Sequence, residues 1–220
     1  MDVDRPASGE ELNPGAPTVP RQAATVIVLR GAGDALEVLL VKRNPNARFM
    51  PSAWVFPGGA VDAHELGEAG DEPLGEAGGD SAHRLAGVRE VAEEAGVALH
   101  GPESLVKFSR WITPPQVQIR YDTHFFLAPL PDGETPEIDG GEVVDARWYA
   151  PGAALSAWRD GEIELVFPTV KHLEQLEPFD SADALLEWAG GRSVEPVEPQ
   201  VVLDGEVARV VLPGEPGYED

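Results

Sequence analysis

Three features of this 220-residue sequence predict an α+β fold. Two β-branched runs, AATVIVLR and LEVLLVKR, open the patterned part of the chain. A helical spacing from Ser81 to Ala95 then interrupts the strands, and three further helical runs follow the last of the central ones. The length favours one sizeable domain with appendages over two complete domains.

Residues 1–20 carry four prolines, several acids and few large apolar side chains. Such a segment buries too little surface to offset its ordering entropy and reads as a flexible tail. The domain is expected over 21–190. Its first two runs flank GAGD, a Gly/Asp turn expected to close a hairpin. After the loop NPNARFMPSA, the stretch WVFPGGAV predicts a short strand that stops at Pro57 and the Gly58-Gly59 pair. Ala60 to Asp80 is rich in Gly, Asp and Glu without apolar periodicity and is expected to be an exposed insertion. Asp80 or Ser81 suits the N-cap of the following helix, and Gly96 its C-terminal stop. Strands are predicted in SLVKFSRWIT, RYDTHFFLAPL and VVDARWYA, and helices near APGAALSAWRDG, FPTVKHLEQLE and SADALLEWAG. Residues 191–220 form an extension in which QVVLDGEVARVVLPG predicts a hairpin around Asp204-Gly205, packed on the domain or on a partner. The exposed edge of that hairpin leaves a homodimer open.

Composition excludes several functions. A formal charge of −23 repels polyanions, so neither stable nucleic-acid binding nor anionic-membrane binding is expected. The apolar runs are too short to span a bilayer, and the amino terminus shows no basic start followed by an apolar stretch, which makes cytoplasmic residence the expectation. With no cysteine, any metal must use oxygen or imidazole ligands. A small phosphorylated substrate stays compatible with the charge if cations screen its site.

VREVAEEAGV, Val88 to Val97, concentrates three glutamates. At about 100° per residue, Glu90, Glu93 and Glu94 share one helix face, with Leu85, Val88, Ala92 and Ala95 roughly opposite and expected to anchor the helix. Like charges at this spacing destabilise an isolated helix by a few tenths of a kcal/mol. A hard divalent cation such as Mg²⁺ or Mn²⁺ would neutralise them and bridge to phosphate oxygens. A solvated acidic face is the alternative for three such glutamates taken alone.

REVAEEAGV resembles the second half of the Nudix hydrolase signature: Arg-Glu, an apolar residue, any residue, Glu-Glu, any residue, Gly and an apolar residue. GAVDAHE, Gly59 to Glu65, supplies the first half, a glycine, five residues and a glutamate. The two halves are in order, but 23 residues, Leu66 to Val88, lie between them where the family pattern has seven, which places an insertion at about 66–81 within a box spanning 59–97. SAWVFPGGAVDA, SRWITPP, RYDTHFF and FPTV are similar to the branch that contains peroxisomal coenzyme A diphosphatases. The resemblance covers roughly 22–189.

It implies a mixed β-sheet sandwiched between helices and a box forming a loop, helix and loop that binds Mg²⁺ or Mn²⁺. By motif position, Glu93 and Glu94 are implied as direct metal ligands and Glu90 as a ligand or as the orienter of the attacking water. Arg89 is implied to hold the loop through a carboxylate, with Glu65 its candidate partner. Gly58 and Gly59 are grouped with the substrate-binding residues, since glycine lets backbone approach metal or substrate closely. Glu142, in GGEVVDARWYA, is a candidate general base, because several Nudix enzymes carry one on a comparable loop; a solvated turn residue is the alternative.

The activity implied is metal-dependent cleavage of a diphosphate linkage in a nucleoside diphosphate derivative, with coenzyme A or its thioesters favoured. The His-x-Gly motif usual for coenzyme A members does not occur near ARFMPSAWVFPGG, so dinucleotides and nucleotide sugars stand as alternatives. A catalytically silent domain that senses a nucleotide or serves as an interaction module is a third.

Basic residues are scarce, which singles out Arg43, Arg48 and Arg120 as candidate phosphate clamps, pairing with surface acids being the alternative for each. Trp111 is the strongest candidate for stacking a base; Trp54, Phe56, Phe125, Phe126 and Trp148 fit a core equally well. His64, His83, His100, His124 and His172 form no pair at ligand spacing and are expected to be structural or exposed.

Overall fold

The computed structural model describes residues 13, 15–31, 35–47, 49–68, 80–138, 140–204 and 207–219. Most of the expected tail, the GAGD turn, Arg48, the body of the insertion and the Asp204-Gly205 turn lie wholly or partly outside them. Among the described residues no helix is long and apolar enough to cross a membrane.

The long strand β1 (Arg21–Arg30) is the axis of the fold. Along one edge it pairs in parallel with β6 (Tyr121–Pro129), in register from Arg21 opposite Tyr121 to Leu29 opposite Pro129. Its other edge is shared. The C-terminal end pairs antiparallel with β2 (Glu37–Arg43), and the N-terminal end, at Ala23 to Thr25, pairs antiparallel with β4 (Gly58–Ala60). The stretch expected as one short strand is therefore two, β3 (Trp54–Val55) on β2 and β4 on β1, with the Gly58-Gly59 pair inside β4 rather than ending a strand. A side chain at Gly58 would collide with the backbone of Ala24 and Thr25, so the glycine permits this pairing.

β2 also pairs with β7 (Val143–Tyr149), with an irregularity at Lys42 and Arg43, and β6 pairs antiparallel with β5 (Val106–Ile112). β8 (Pro196–Val197) adds to β5 in parallel. Sequence periodicity did not mark this last strand, which is two residues long. β9 (Gln200–Asp204) and β10 (Val207–Val211) form the expected terminal hairpin.

The runs in β1, β2 and β6 are almost continuously apolar because helices cover both faces of the sheet. One face carries Ile27, Leu29, Val38, Leu40 and Leu127 against α3 (Pro151–Arg159), α4 (Phe167–Leu176) and α5 (Ala182–Gly190). The other carries Ala24, Val26, Val28, Leu39, Val41 and Phe126 against α2 (Ser81–Ala95). Gly96 closes α2 in the left-handed conformation, φ 65°, as its position predicted.

Two expectations change here. The segment after Ala60 is not wholly loop: α1 (Ala63–Glu68) forms, and Glu65 is 2 % exposed. Nor does α2 anchor through all of Leu85, Val88, Ala92 and Ala95: Ala95 is buried and the half-buried Val88 packs against the core, but Leu85 is only half-buried and Ala92 is exposed. The side against the sheet carries Ala82, Ala86, Gly87, Val91 and Ala95. These small residues let the helix backbone come close to β1, and close approach draws in the neighbouring Glu90 and Glu94.

Gly87 marks the contact. A Cβ there would lie 2.9 Å from Val26 Cγ2. Gly87→Val should therefore lower unfolding free energy by roughly 1–3 kcal/mol through overpacking, read as a fall in the urea midpoint at unchanged slope.

Candidate active site

The box glutamates are brought to the sheet by the contact just described. Glu94 is 4 % exposed, and its Oε2 accepts the Gly58 N–H at 2.9 Å, so the β4 backbone holds it. Glu90 is 9 % exposed, and Gly59 leaves the space its carboxylate occupies, since a Cβ at that position would collide with it. The two glycines thus seat the carboxylates directly.

Burial pushes the Glu94 carboxyl up to about 7, aided by the nearby charges of Glu90 and Glu142, while the Gly58 N–H and Arg43 oppose the rise. Burial also raises Glu90, against the pull of Arg89. Two adjoining acids in one desolvated place carry too little positive charge around them.

Glu93 behaves differently. Its side chain is 60 % exposed and turns to Arg89 at 2.9 Å. Glu90, Glu93 and Glu94 therefore do not close into one tight group. The expected convergence holds for Glu90 and Glu94, with Glu93 at the solvent edge.

Arg89 organises the loop. Its Nε donates to Glu65 Oε1 at 2.9 Å, Nη1 to Glu90 at 2.7 Å and to Glu93 at 2.9 Å, and Nη2 to the Ala60 carbonyl at 2.9 Å. Glu65 Oε2 also accepts the Asp62 N–H at 2.7 Å. These bonds to Glu65 first, then to Glu90 and Glu93, raise the guanidinium pKa further, so its charge is fixed. The pairing of Arg89 with Glu65 joins the two halves of the motif across the insertion, as the pattern predicted.

Arg43 and Glu142 meet the same place from the β2 and β7 side. The Arg43 Nε donates to the Phe49 carbonyl at 3.1 Å, and Glu142 stands exposed just before Val143, the partner of Arg43 in the ladder. Arg43, Gly58, Gly59, Glu90, Glu94 and Glu142 all line one cavity of about 760 Å³. A volume of that size is at the upper end for small-molecule sites.

Other candidates fall elsewhere. Arg120 is 9 % exposed and spent on the Thr113 and Thr18 carbonyls and on Glu198. Trp111 lines the cavity but is 6 % exposed, edge-on to Phe167 and His172, so it is wall rather than an open stacking face. Phe56 and Phe125 also line the cavity, whereas Trp54 and Phe126 pack in the core and Trp148 lies under the Arg30 guanidinium.

Sequence spacing missed one cluster. His83 and His124, both fully buried and far apart in the chain, stack with ring centroids 3.7 Å apart and planes 9° from parallel. Asp80 accepts from His124 Nδ1 and from Lys107, each at 2.9 Å, and His83 Nε2 meets Gln22 at 2.9 Å. Among the described residues this is the one group of three ligand-type side chains whose ligand atoms lie within 4.8 Å of one another. Parallel stacked imidazoles direct their in-plane lone pairs side by side rather than toward a common point, and Lys107 already supplies positive charge. The cluster reads as an imidazole stack that anchors the start of α2 to β5 and β6. Asp80, expected as an N-cap, makes no side-chain cap because its carboxylate serves these partners.

The NUDIX domain family model matches residues 19–168. Acyl-coenzyme A diphosphatase NUDT19 of Homo sapiens is 24 % identical, with 94 % of this chain and 82 % of that protein covered. The Xenopus laevis protein of the same name is 23 % identical, covering 84 % of this chain and 72 % of its own length. A solved structure of a NUDIX hydrolase from Alicyclobacillus acidocaldarius superposes with a TM-score of 0.68 at 28 % identity, over 77 % of this chain and 96 % of the other.

Two outcomes follow from the charges. Arg89→Met strands the buried Glu65 and Glu90 carboxylates and should destabilise the protein by roughly 3 kcal/mol in denaturant titration. Burial, aided by the charge of His124, lowers His83 from 6.5 to about 4. Between those values the unfolded chain binds more protons, so stability falls as pH falls through the window, and the slope from this residue ends below about 4. The thermal midpoint should drop from pH 6.5 to pH 4, less steeply in His83→Phe.

Proposed function

The chain belongs to the NUDIX domain family and is a pyrophosphohydrolase of the Nudix type, and we propose that it cleaves the diphosphate linkage of coenzyme A or an acyl-coenzyme A. The family uses divalent metal ions, and the residues fit one. The observation that carries this is the pair of buried carboxylates, Glu90 and Glu94, both raised first by desolvation, Glu90 also by the charges of Glu93 and Glu142 and Glu94 by those of Glu90 and Glu142. An all-oxygen donor set with excess negative charge suits Mg²⁺ or Mn²⁺. Glu90 and Glu94 would hold the ion, with Glu93 at its outer side. When bound it neutralises phosphate oxygens and makes a coordinated water more acidic.

The chain's own residues do the rest. Arg89 keeps the box loop closed on Glu65, Glu90 and Glu93, so the ligands are in place before substrate arrives. Arg43, at the cavity wall, offers a guanidinium to the diphosphate oxygens. Gly58 and Gly59 let backbone approach the same oxygens. Glu142 is solvent-exposed at the rim and accepts the proton of the attacking water at its carboxylate, while Glu90 orients that water. The coenzyme A assignment is supported by the breadth of the match to the acyl-coenzyme A diphosphatases.

Purified protein with coenzyme A, acyl-coenzyme A, dinucleotides and nucleotide sugars should show turnover only with Mg²⁺ or Mn²⁺, and fastest on the coenzyme A compounds. Preference for a dinucleotide or nucleotide sugar would replace that substrate; Glu94→Gln with wild-type activity would remove the assignment of the carboxylates. The same Glu94→Gln, by deleting a buried charge, should raise the thermal midpoint of metal-free protein at pH 8, by roughly 2–4 °C for each kcal/mol relieved.

A further inference from the structure

The cavity that holds Glu90 and Glu94 extends well past them, and its far part has different chemistry. Its charged lining residues are Arg43, Glu90, Glu94, Glu142 and Glu164. Among the described residues, neither 111–125 nor the C-terminal extension adds another. There the wall is uncharged and largely apolar, with Ile112, Val117, Ile119, Phe167, Val201 and Val210 interrupted by the hydroxyls of Thr113, Tyr121 and Thr123. In a chain with a formal charge of −23, an uncharged wall of this extent is informative. Ile119 is 39 % exposed, one of four large apolar side chains open to solvent among the described residues. An open apolar surface inside a ligand-sized cavity is surface that an apolar ligand group would cover.

The C-terminal extension is fastened so as to complete this wall. β8 pairs with β5 at Arg110 and Trp111, Glu198 bonds Arg120 at 3.1 Å, and the Tyr218 hydroxyl donates to the Glu198 carbonyl at 3.0 Å. Val201 and Val210 are directly opposed across β9 and β10, so both side chains stand on one face of the hairpin.

We infer that the terminal hairpin is a substrate-reading wall: the diphosphate compound cleaved here carries an apolar acyl chain, and Val201 and Val210 set the preference for its length. The inference rests on the hydrolytic reading above and extends it to a segment outside the residues matched by the family. Each methylene taken out of water contributes about fourfold to binding, so a chain long enough to reach the wall is distinguished from a two-carbon acyl group.

The test compares kcat/KM for acetyl-, hexanoyl- and decanoyl-coenzyme A, with Mg²⁺, in wild type, Val210→Asp and Val210→Ala. The expected decanoyl-to-acetyl ratio exceeds ten in wild type, falls at least tenfold in Val210→Asp and falls about threefold or more in Val210→Ala. The alanine variant keeps the strand should the aspartate disturb folding. No chain-length preference in wild type, or an unchanged ratio in both variants, overturns the inference. Calorimetric titration of the same thioesters into metal-free protein separates the two readings. Tighter decanoyl binding that Val210→Asp abolishes, together with no diphosphate cleavage of any of these compounds in the Mg²⁺ assay, keeps the wall and overturns the coenzyme A hydrolase reading. Equal binding of acetyl and decanoyl compounds overturns the wall. A length effect that vanishes on dilution together with a dimer assigns the surface to a second copy and overturns it as well.

Discussion

The close approach of α2 to β1 and β4 governs this molecule. It depends on glycine and alanine at the points of contact: Gly87 against Val26, Gly59 against Glu90, Gly58 against the β1 backbone. Because the helix sits so low, Glu90 and Glu94 lie within the protein rather than over it, and the electrostatics of the site follow from that desolvation. An acidic face raised a few ångströms would be solvated and would have no special appetite for a cation. Packing geometry thus sets the electrostatics of these carboxylates at least as much as the number of glutamates does.

The same packing explains what could be read in the sequence. The limits of α2, its stop at Gly96 and the long strands β1, β2, β5, β6 and β7 were visible, because periodicity and turn chemistry are local. The face of α2 that anchors was not. Leu85 outranks Ala86 and Gly87 on any scale of hydrophobicity, yet the sheet took the small residues for proximity. Helical spacing also placed Glu93 with its neighbours, although in three dimensions Arg89 draws it to the solvent side. Pairing of Arg89 with Glu65 was legible only through the motif, since 23 residues separate the two in the chain. His83 and His124 illustrate the limit: a stack built between a helix and a strand has no spacing to betray it.

Charge is distributed by function across the fold. Among the described residues most acids lie where water can screen them, whereas the few buried ionised groups have named partners. Asp122 takes the Arg110 guanidinium at 2.7 and 2.8 Å, and Asp80 takes Lys107 and His124. Glu90 and Glu94 are the exception, with Glu94 held by one backbone N–H and Glu90 by one guanidinium bond. That contrast, within a single chain, separates the paired structural ions from the two carboxylates to which the proposed cation is assigned.

The clamps at Glu65 and Asp80 have a consequence for chain length. Glu65 is tied to Arg89 and to the Asp62 amide, and Asp80 to β5 and β6, so both ends of the intervening segment are pinned independently of what lies between. Joining two fixed points with more chain costs only the logarithm of the added length: tripling the connection amounts to about 1 kcal/mol of closure entropy. The connection between Glu65 and Asp80 can therefore change in length at small entropic cost while both of its ends keep their partners.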